Sequence, residues 1–428
     1  MSILKHINTI KNNKLVKNGF LFTLFSFINT GISFLLLIIL ARYISPSEYG
    51  KLNLFNTLIT LLNIIISLNS VGIISVDFFN YPKNIIKKLI SSVILISTGV
   101  LLFGILMIIL FNNFSIKAIG LSIEYQFIAI FICYIQVFTS INLDIWRLEE
   151  RPTQYGVYSI ATGFANFGLT LLLVIPYKMG WEGRIYAQSC VSIIFIILSI
   201  IILNRKGYLK KPKFDLWAIK NSLSFGLPLI PHSASSWIRQ GLDRYIINFF
   251  YTSVEVGYFS FAFNFANIIH IIGSAFNSTN SVYIYKTLAE DSLDKFQQLK
   301  KQIKILTITF ILITILVYIS VIVFIPIVTP QYEDSIPFLL PLCVSALFQC
   351  IYYLYVNYIF YYKKTKILMY ITFLMSIIHL TLSIILTRYS IMFTAYITLF
   401  VNIAITFLVY KYSKKVLKSK TNEEIYNN

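Results

Sequence analysis

The sequence predicts an all-α protein that crosses a membrane about twelve times. Charged residues make up only 12% of the 428-residue chain, whereas hydrophobic residues make up 57%. Soluble domains carry about 25% charged residues, so a soluble fold of this size could not cover its surface. The apolar fraction supplies roughly twelve segments of the ~20 residues that a spanning helix needs. These observations exclude a soluble enzyme, a secreted module and a disordered chain.

Twelve apolar runs mark the predicted spans, in chain order. They are Phe20–Ala41, Leu54–Phe78, Ile90–Phe111, Tyr125–Ile145, Val157–Pro176, Ile185–Leu203, Leu223–Phe250, Gly257–Tyr283, Ile305–Val328, Leu339–Phe360, Ile367–Leu386 and Ile391–Tyr410. The second, seventh and eighth spans contain Ser, Asn, His, Gly or charged residues. Lipid-facing helices avoid such residues, so we expect these three spans to line an interior.

The basic residues predict the orientation of the chain. A formal net charge of +19 could indicate nucleic-acid binding. However, Lys and Arg cluster in the N-terminal segment, in the even-numbered loops and in the C-terminal tail. We expect the N-terminal segment to form a short interfacial helix over residues 1–18. The few basic residues assigned to the opposite side are Arg42, Lys51, Lys117, Lys178, Arg184 and Arg388. This asymmetry predicts that both termini are cytoplasmic and that the charge reflects topology and anionic lipid, not nucleic acid.

The chain is predicted to contain two similar halves of six spans. The expected divisions are an N-terminal bundle over 1–204, a cytoplasmic linker over 205–221, a C-terminal bundle over 222–410 and a basic tail over 411–428. Each half begins with Lys-Asn, one span, Arg-Tyr-Ile and then a Glu closely followed by Gly. These features are Lys17, Arg42 and Glu48 in the first half, and Lys220, Arg244 and Glu255 in the second. Two copies in the same orientation predict a pseudo-two-fold axis along the membrane normal.

Several chemistries find no support in the sequence. The Gly163–Gly168 stretch lacks the Lys of a phosphate-binding loop, and close helix packing explains it better. The four cysteines, which lie in apolar runs, read as buried structural thiols because no metal-ligand spacing is present. The outer connections, about 15 residues or fewer, leave no room for a catalytic domain. We therefore expect a protein that is not an enzyme and uses no cofactor or metal.

The seventh span carries the most informative residues. Pro228 and Pro231 interrupt the helical hydrogen bonds and predict a bend that could serve gating. Beyond them, polar side chains at positions i, i+4, i+7 and i+11 would share one helix face. These are His232, Ser236, Arg239 and Asp243.

Two interpretations of this face remain open. Ionised groups inside a span are functional by default, which makes Arg239 and Asp243 candidate substrate-binding residues. Alternatively, the two could neutralise each other as a structural ion pair. Arg244 could bind substrate or only reach the headgroups, and Arg42 could meet an anionic headgroup. Asp77 could pair with a cation in coupling or be an interfacial carboxylate.

Two sequence motifs resemble those of a known transporter family. The first is Ala41-Arg-Tyr-Ile-Ser-Pro-Ser-Glu-Tyr-Gly-Lys-Leu52. The second combines Gly226-Leu-Pro-Leu-Ile-Pro231 with Trp237, Asp243-Arg-Tyr-Ile246 and Val256-Gly-Tyr-Phe-Ser260. Both are similar to the motifs of Wzx-type flippases for O-antigen and capsule repeat units, in the multidrug/oligosaccharidyl-lipid/polysaccharide exporter superfamily.

The resemblance implies a fold, a cargo and a location. The family has two six-helix bundles around a central cavity. It moves undecaprenyl-diphosphate-linked oligosaccharide from the cytoplasmic to the outer leaflet of the bacterial inner membrane, for surface polysaccharide biosynthesis. It implies the lipid bilayer, and other membrane proteins of polysaccharide assembly, as partners. Trp237, His232 and the arginines would then face an anionic, sugar-rich cargo.

Three alternatives remain. A multidrug exporter of the same fold would need carboxylates for cationic drugs, and Asp77 lies near a span end. A membrane glycan polymerase, ligase or glycosyltransferase would need a larger outer loop. A non-transporting scaffold would not need charge within the seventh span.

Overall fold

Helices form nearly all of the structure, a computed structural model that describes residues 14–209, 214–289 and 294–426. Within these ranges it contains sixteen α-helices, two 3₁₀ turns and no β-strand. The chain contacts divide it into two units, 1–233 and 234–428. Most of the predicted interfacial segment 1–18 and part of the basic linker lie outside the described residues.

The first unit contains nine complete helices. They are α1 (Lys14–Tyr43), α2 (Pro46–Ser67), α3 (Gly72–Asp77), α4 (Lys83–Leu110), α5 (Asn112–Ile119), α6 (Ile123–Leu148), α7 (Pro152–Val174), α8 (Gly180–Arg205) and α9 (Leu216–Gly226). Helix α10 (Ile230–Gln240) contains the boundary between the units. The division falls beyond the predicted linker because α9 packs on α3 and α4 of the first unit.

The second unit contains six further helices. They are α11 (Asp243–Phe250), α12 (Ser253–Ala289), α13 (Lys295–Val328), α14 (Ile336–Tyr361), α15 (Thr365–Leu386) and α16 (Met392–Tyr426). Helix α14 packs against α12, α13, α15 and α16 and so forms the centre of this unit.

Eleven described helices are long and apolar enough to cross a membrane, one fewer than predicted. The difference lies at the seventh span, Leu223–Phe250. There the chain forms α9, a 3₁₀ turn (Leu227–Leu229), α10 and α11 in succession. Pro228 and Pro231 have no N–H to donate, so they interrupt the ladder, and a second break falls at Gly241 and Leu242. The helix is thus interrupted where the prolines predict it, by a 3₁₀ turn, and a second time at Gly241 and Leu242, where there is no proline.

The second predicted span, Leu54–Phe78, also differs from the structure. Its helix begins earlier, at Pro46, and ends at Ser67. Leu68 and Asn69 then adopt left-handed backbone conformations with φ of 46° and 53°, which end the helix before α3 begins. Hydropathy alone merges α2 and α3 into one span, because the residues before and after the short turn between them are apolar.

The two units repeat the same pattern of helix packing. In the first unit, α2 packs on α4 and α6, α6 packs on α4 and α8, and α7 packs on α1 and α8. In the second unit, α12 packs on α13 and α14, α14 packs on α13 and α16, and α15 packs on α11 and α16. These are the same six pairings, with α11 in the place of the first span. Each unit also has a cysteine thiol that donates to a backbone carbonyl: Cys133 Sγ to Ile59 O and Cys350 Sγ to Ile269 O, both at 3.4 Å.

The repeated Glu has one structural role in both units. Glu48 accepts from the N–H and the hydroxyl of Ser45, each at 3.0 Å, in a capping box that begins α2. Glu255 accepts in the same way from the N–H and hydroxyl of Thr252 at the start of α12. A Ser or Thr followed three residues later by Glu satisfies donors that the first helical turn leaves free. The internal repeat therefore marks equivalent helix starts.

The cysteines agree with expectation in three positions. Cys133, Cys343 and Cys350 are buried free thiols, whereas Cys190 is exposed on α8. The expectation of burial is thus wrong for Cys190, because an apolar run in a membrane helix can face lipid as well as the core.

We predict that Gly226→Ala destabilises the first unit. A Cβ at this position would lie 2.2 Å from the carbonyl oxygen of Leu68, and backbone cannot move aside as a side chain can. The expected cost is about 1–3 kcal/mol, measured as a lower unfolding temperature of the purified protein. Gly168→Ala is the control, because its Cβ would meet no atom within 4 Å. Equal unfolding temperatures for the two variants would contradict the close approach.

A second prediction concerns the carboxylate that caps α9. Asp215 accepts from the Ala218 N–H at 3.1 Å and pairs with Lys88 Nζ at 2.8 Å. The Lys88 hydrogen bond, aided by the backbone N–H, holds the pKa of Asp215 below its usual range. The stabilisation is therefore present above the unfolded pKa of about 3.9 and is lost as pH falls through the lower folded value.

Asp215→Asn keeps an oxygen for the cap and removes the ion pair. Its unfolding temperature should lie below that of the parent protein near neutral pH. The gap should narrow as pH is lowered to about 3. Glu333→Gln, at an exposed carboxylate that forms no ion pair with a described residue, is the control. A gap that stays constant with pH would show that the ion pair contributes nothing.

Candidate functional site

Arg239 lines a small polar cavity inside the second unit. The cavity has a volume of about 20 Å³, which is room for about one water molecule. Its lining residues are Arg239, Gln240, Phe263, Ala266, Asn267, His270, Leu342, Ser345, Ala346, Gln349, Thr398 and Asn402. They come from α10, α12, α14 and α16. The structure thus places the predicted arginine beside amides and hydroxyls that the sequence did not connect with it.

Arg239 has no carboxylate partner among the described residues. Its Nε donates to the backbone oxygen of Ser235 at 3.3 Å, within the same helix. The hydroxyls of Tyr352 and Tyr353 are near enough to interact with it electrostatically. A guanidinium carries five N–H donors, so most of its capacity remains for a ligand.

The proposed Arg239–Asp243 ion pair is absent. The spacing i, i+4 brings side chains together only on a continuous helix, and α10 ends at Gln240. The break at Gly241 and Leu242 turns Asp243 away from the face that carries Arg239. For the same reason, the four polar residues of the seventh span do not form one continuous stripe.

Asp243 instead lies in a buried polar cluster. It is 3% exposed, and its Oδ1 accepts from His379 Nε2 and from Ser383 Oγ, both at 3.0 Å. Its Oδ2 accepts from Thr398 Oγ1 at 3.2 Å. Three donors from α15 and α16 therefore satisfy the carboxylate. Thr398 also lines the Arg239 cavity, so the cluster and the cavity share a wall.

Arg244 is built into the same unit. It is 6% exposed, in contrast to the expectation that it reaches the headgroups. Its Nε donates to Ser260 Oγ at 3.1 Å, its Nη1 donates to Gln240 O at 2.7 Å, and its guanidinium lies 4.7 Å from the Phe263 ring centroid. These contacts give Arg244 a structural role at the second break.

The other predicted residues are dispersed. Arg42 is exposed in the last turn of α1, and His232 is exposed near the start of α10. Trp237 packs against Tyr245 with ring centroids 6.0 Å apart. Asp77 is buried and accepts from Asn221 Nδ2 at 3.1 Å; no cation among the described residues pairs with it. Pro228 lies in the 3₁₀ turn of the first break, and Pro231 is the second residue of α10.

The first unit contains a larger cavity that the sequence interpretation missed. Its volume is about 200 Å³. It is lined by Asn29, Ile135, Gln136, Thr139, Leu143, Tyr158, Ser159, Thr162, Asn166, Arg184, Gln188, Ser192 and Phe195. Nine of these side chains are polar and uncharged, one is an arginine and none is a carboxylate.

The sequence predicts a loop position for Arg184, because the apolar run of the sixth span begins at Ile185. The helix begins at Gly180 instead, which places Arg184 in its second turn. The missed signal was a polar stripe on α8, in which Arg184, Gln188 and Ser192 follow one another at intervals of four. Arg184 is therefore a third arginine in the interior of a unit, in addition to Arg239 and Arg244 of the second unit.

Comparison with known proteins identifies a family. The family model "Polysaccharide biosynthesis protein" matches residues 15–284. "Lsg locus putative protein 1" of Haemophilus influenzae is 25% identical over 396 residues, which cover 91% of this chain and 95% of the relative. An "Uncharacterized membrane protein" of the same organism is 24% identical and covers 90% of this chain and 93% of the relative.

Solved structures share the fold. "Lipid II flippase MurJ" in an inward closed conformation has a TM-score of 0.72 at 17% identity, covering 95% of this chain and 91% of that one. An inward-facing multidrug resistance MATE family transporter of the MOP superfamily has a TM-score of 0.69 at 13% identity, covering 92% of this chain and 96% of that one. At these identities the likeness shows the architecture.

We predict that Asp243→Ala strongly destabilises the protein. The substitution leaves His379 and Ser383 without their buried acceptor, while Thr398 keeps the carbonyl oxygen of Thr394, at a cost of about 3 kcal/mol or more. Asp243→Asn keeps one acceptor oxygen and should cost less. The measurement is the unfolding temperature of each purified variant. If Asp243→Ala unfolds at the temperature of the parent protein, the cluster is not a stabilising element.

Proposed function

The chain belongs to the polysaccharide biosynthesis protein family, and on that premise we propose that it is a flippase for undecaprenyl-diphosphate-linked oligosaccharide repeat units. It would move them from the cytoplasmic to the outer leaflet of the bacterial inner membrane, for O-antigen or capsule assembly. The lipid bilayer and other polysaccharide assembly proteins are its proposed partners. The basic loops support an orientation with both termini in the cytoplasm.

One observation carries the proposal: Arg239 faces a polar cavity and is not neutralised by a carboxylate of the described chain. An interior arginine without a counter-ion is costly unless it meets water or a ligand anion. A lipid diphosphate offers that anion, and guanidinium groups bind phosphate oxygens in a bidentate manner. Since the cavity of about 20 Å³ has room for about one water molecule, the proposal requires that it widen when the cargo enters. The neighbouring Asn267, Gln349 and Asn402 amides suit sugar hydroxyls.

The carboxylates support this cargo over cationic drugs. Asp243 is held by three donors and Asp144 pairs with Arg147 at 2.7 Å, which leaves Asp77, with one hydrogen bond from Asn221, as the carboxylate of these three without a described cation. A drug exporter of this fold would need a carboxylate that is free to meet a cation. Nor do the described connections between helices hold a separate domain, which favours transport over glycan polymerisation or ligation.

We predict that Arg239→Ala and Arg239→Glu impair glycan export. Loss of a charge-assisted contact of ~1.5–3 kcal/mol corresponds to about a 10- to 100-fold weaker interaction. The acidic variant should be the more severe, since it repels the diphosphate, and Arg239→Lys should keep part of the activity. The measurement is the amount of lipid-linked repeat unit on the inner leaflet and of polysaccharide on the cell surface, in a deletion strain that expresses each variant.

Arg388→Ala is the matched control, because Arg388 is an exposed arginine of the same unit whose guanidinium contacts Tyr389. Unchanged export in Arg239→Ala and Arg239→Glu at normal protein levels would reject the assignment of Arg239. If deletion of the protein raised drug sensitivity without accumulation of lipid-linked glycan, the drug-exporter alternative would replace the proposal.

A further inference from the structure

The Arg184 cavity of the first unit has the size of a ligand site. A cavity of about 10–15 Å³ holds one water molecule. The volume of about 200 Å³ is ten times the volume beside Arg239 and accommodates far more than one or two bound waters. A polar cavity of this size in a packed bundle provides room for a sugar ring.

The guanidinium of Arg184 is held at one corner only. Its Nη1 donates to Asn166 Oδ1 and to Thr170 Oγ1, both at 3.2 Å. Its Nε and Nη2 make no hydrogen bond with a described residue. These two nitrogens form the edge that binds both oxygens of a carboxylate. Asn166 and Thr170 therefore orient the arginine and leave its recognition edge available.

The charge of the cavity matches a ligand with one negative charge. No carboxylate lines it, and nearby Glu182 accepts from Tyr125 OH at 2.6 Å instead. One buried guanidinium offsets one anionic charge, whereas a second buried charge would remain unpaired and costly. A carboxylate is thus a better match than the more highly charged diphosphate.

The remaining lining groups suit a ring that carries hydroxyls. Gln136, Thr139, Gln188 and Ser192 supply donors and acceptors on two helices. The Oδ1 of Asn29 is buried without a hydrogen-bond partner among the described residues, so it also has an acceptor site to fill. Tyr158 and Phe195, with ring centroids 5.0 Å apart, provide an apolar wall.

We infer that this cavity is a subsite for a sugar that bears a single carboxylate, with Arg184 binding the carboxylate. The inference rests on the proposed function, because it names a class of sugar within the cargo. It makes Arg184 a determinant of cargo specificity, separate from the role proposed for Arg239.

The test is binding to the purified full-length protein in lipid nanodiscs. The probes are glucuronate, glucose and inorganic phosphate, with dissociation constants taken from thermal-stabilisation titrations. Glucuronate should bind more tightly than glucose, and phosphate binding should be unchanged by Arg184→Gln. Arg184→Gln should weaken glucuronate binding about 10- to 100-fold and leave the weaker glucose binding unchanged within a few-fold. Arg184→Lys, which keeps the charge, should be intermediate.

Two further variants keep the outcome decisive. Gln188→Leu removes a ring contact without touching the charge, so it should weaken glucuronate and glucose alike. Arg388→Gln, at an exposed arginine of the other unit, should leave glucuronate binding unchanged. Phosphate binding that falls with Arg184→Gln as much as glucuronate binding does, or glucuronate affinity that is insensitive to both Arg184 variants, overturns the inference. Such a result would not affect the conclusion of the export assay for Arg239. If deletion of the protein left glycan export unchanged, the proposed function itself would be rejected.

Discussion

A break in a membrane helix leaves backbone groups without partners, and the bilayer supplies none. The seventh segment is broken twice, and the surrounding polar residues follow from that constraint. The amide of Arg244 bonds to Gly241 O, which leaves Gln240 O free, and the Arg244 side chain takes that oxygen. Part of what resembles a binding face in the sequence therefore stabilises an interrupted helix, and Arg239 is the residue of this face that we propose for a ligand.

The sequence was sufficient for the coarse architecture, since hydropathy and charge depend on local composition. It predicted the helical spans, the internal repeat and the interruption at the prolines. It could not predict the partners of Asp243, because His379 and Thr398 are far away in the chain and only the packing of α15 and α16 brings them near. Arg184 was missed for a smaller reason: a shift of five residues in one helix start changed a loop arginine into an interior one.

The two units share their helix packing and helix starts but differ in the side chains that line their interiors. The six helix pairings, the capping carboxylates and the thiol contacts recur in both. The polar interiors do not: the first unit holds a cavity of about 200 Å³ and the second a cavity of about 20 Å³ beside a satisfied Asp243 cluster. Helix starts and packing pairs are costly to change because many residues depend on them. Side chains that line a cavity can change singly, so the two units can share a fold and serve different parts of one cargo.

The uneven exposure of the cysteines has a practical side. Three thiols are enclosed by helices, and Cys190 alone of the four lies on the outside of α8. That helix also carries Arg184, on another face. The native chain thus provides a single attachment point for a spin label or fluorophore, close to the first-unit cavity, without prior removal of the other cysteines. Spectroscopic distances from that point would report how the helix moves during a transport cycle in an otherwise unaltered protein.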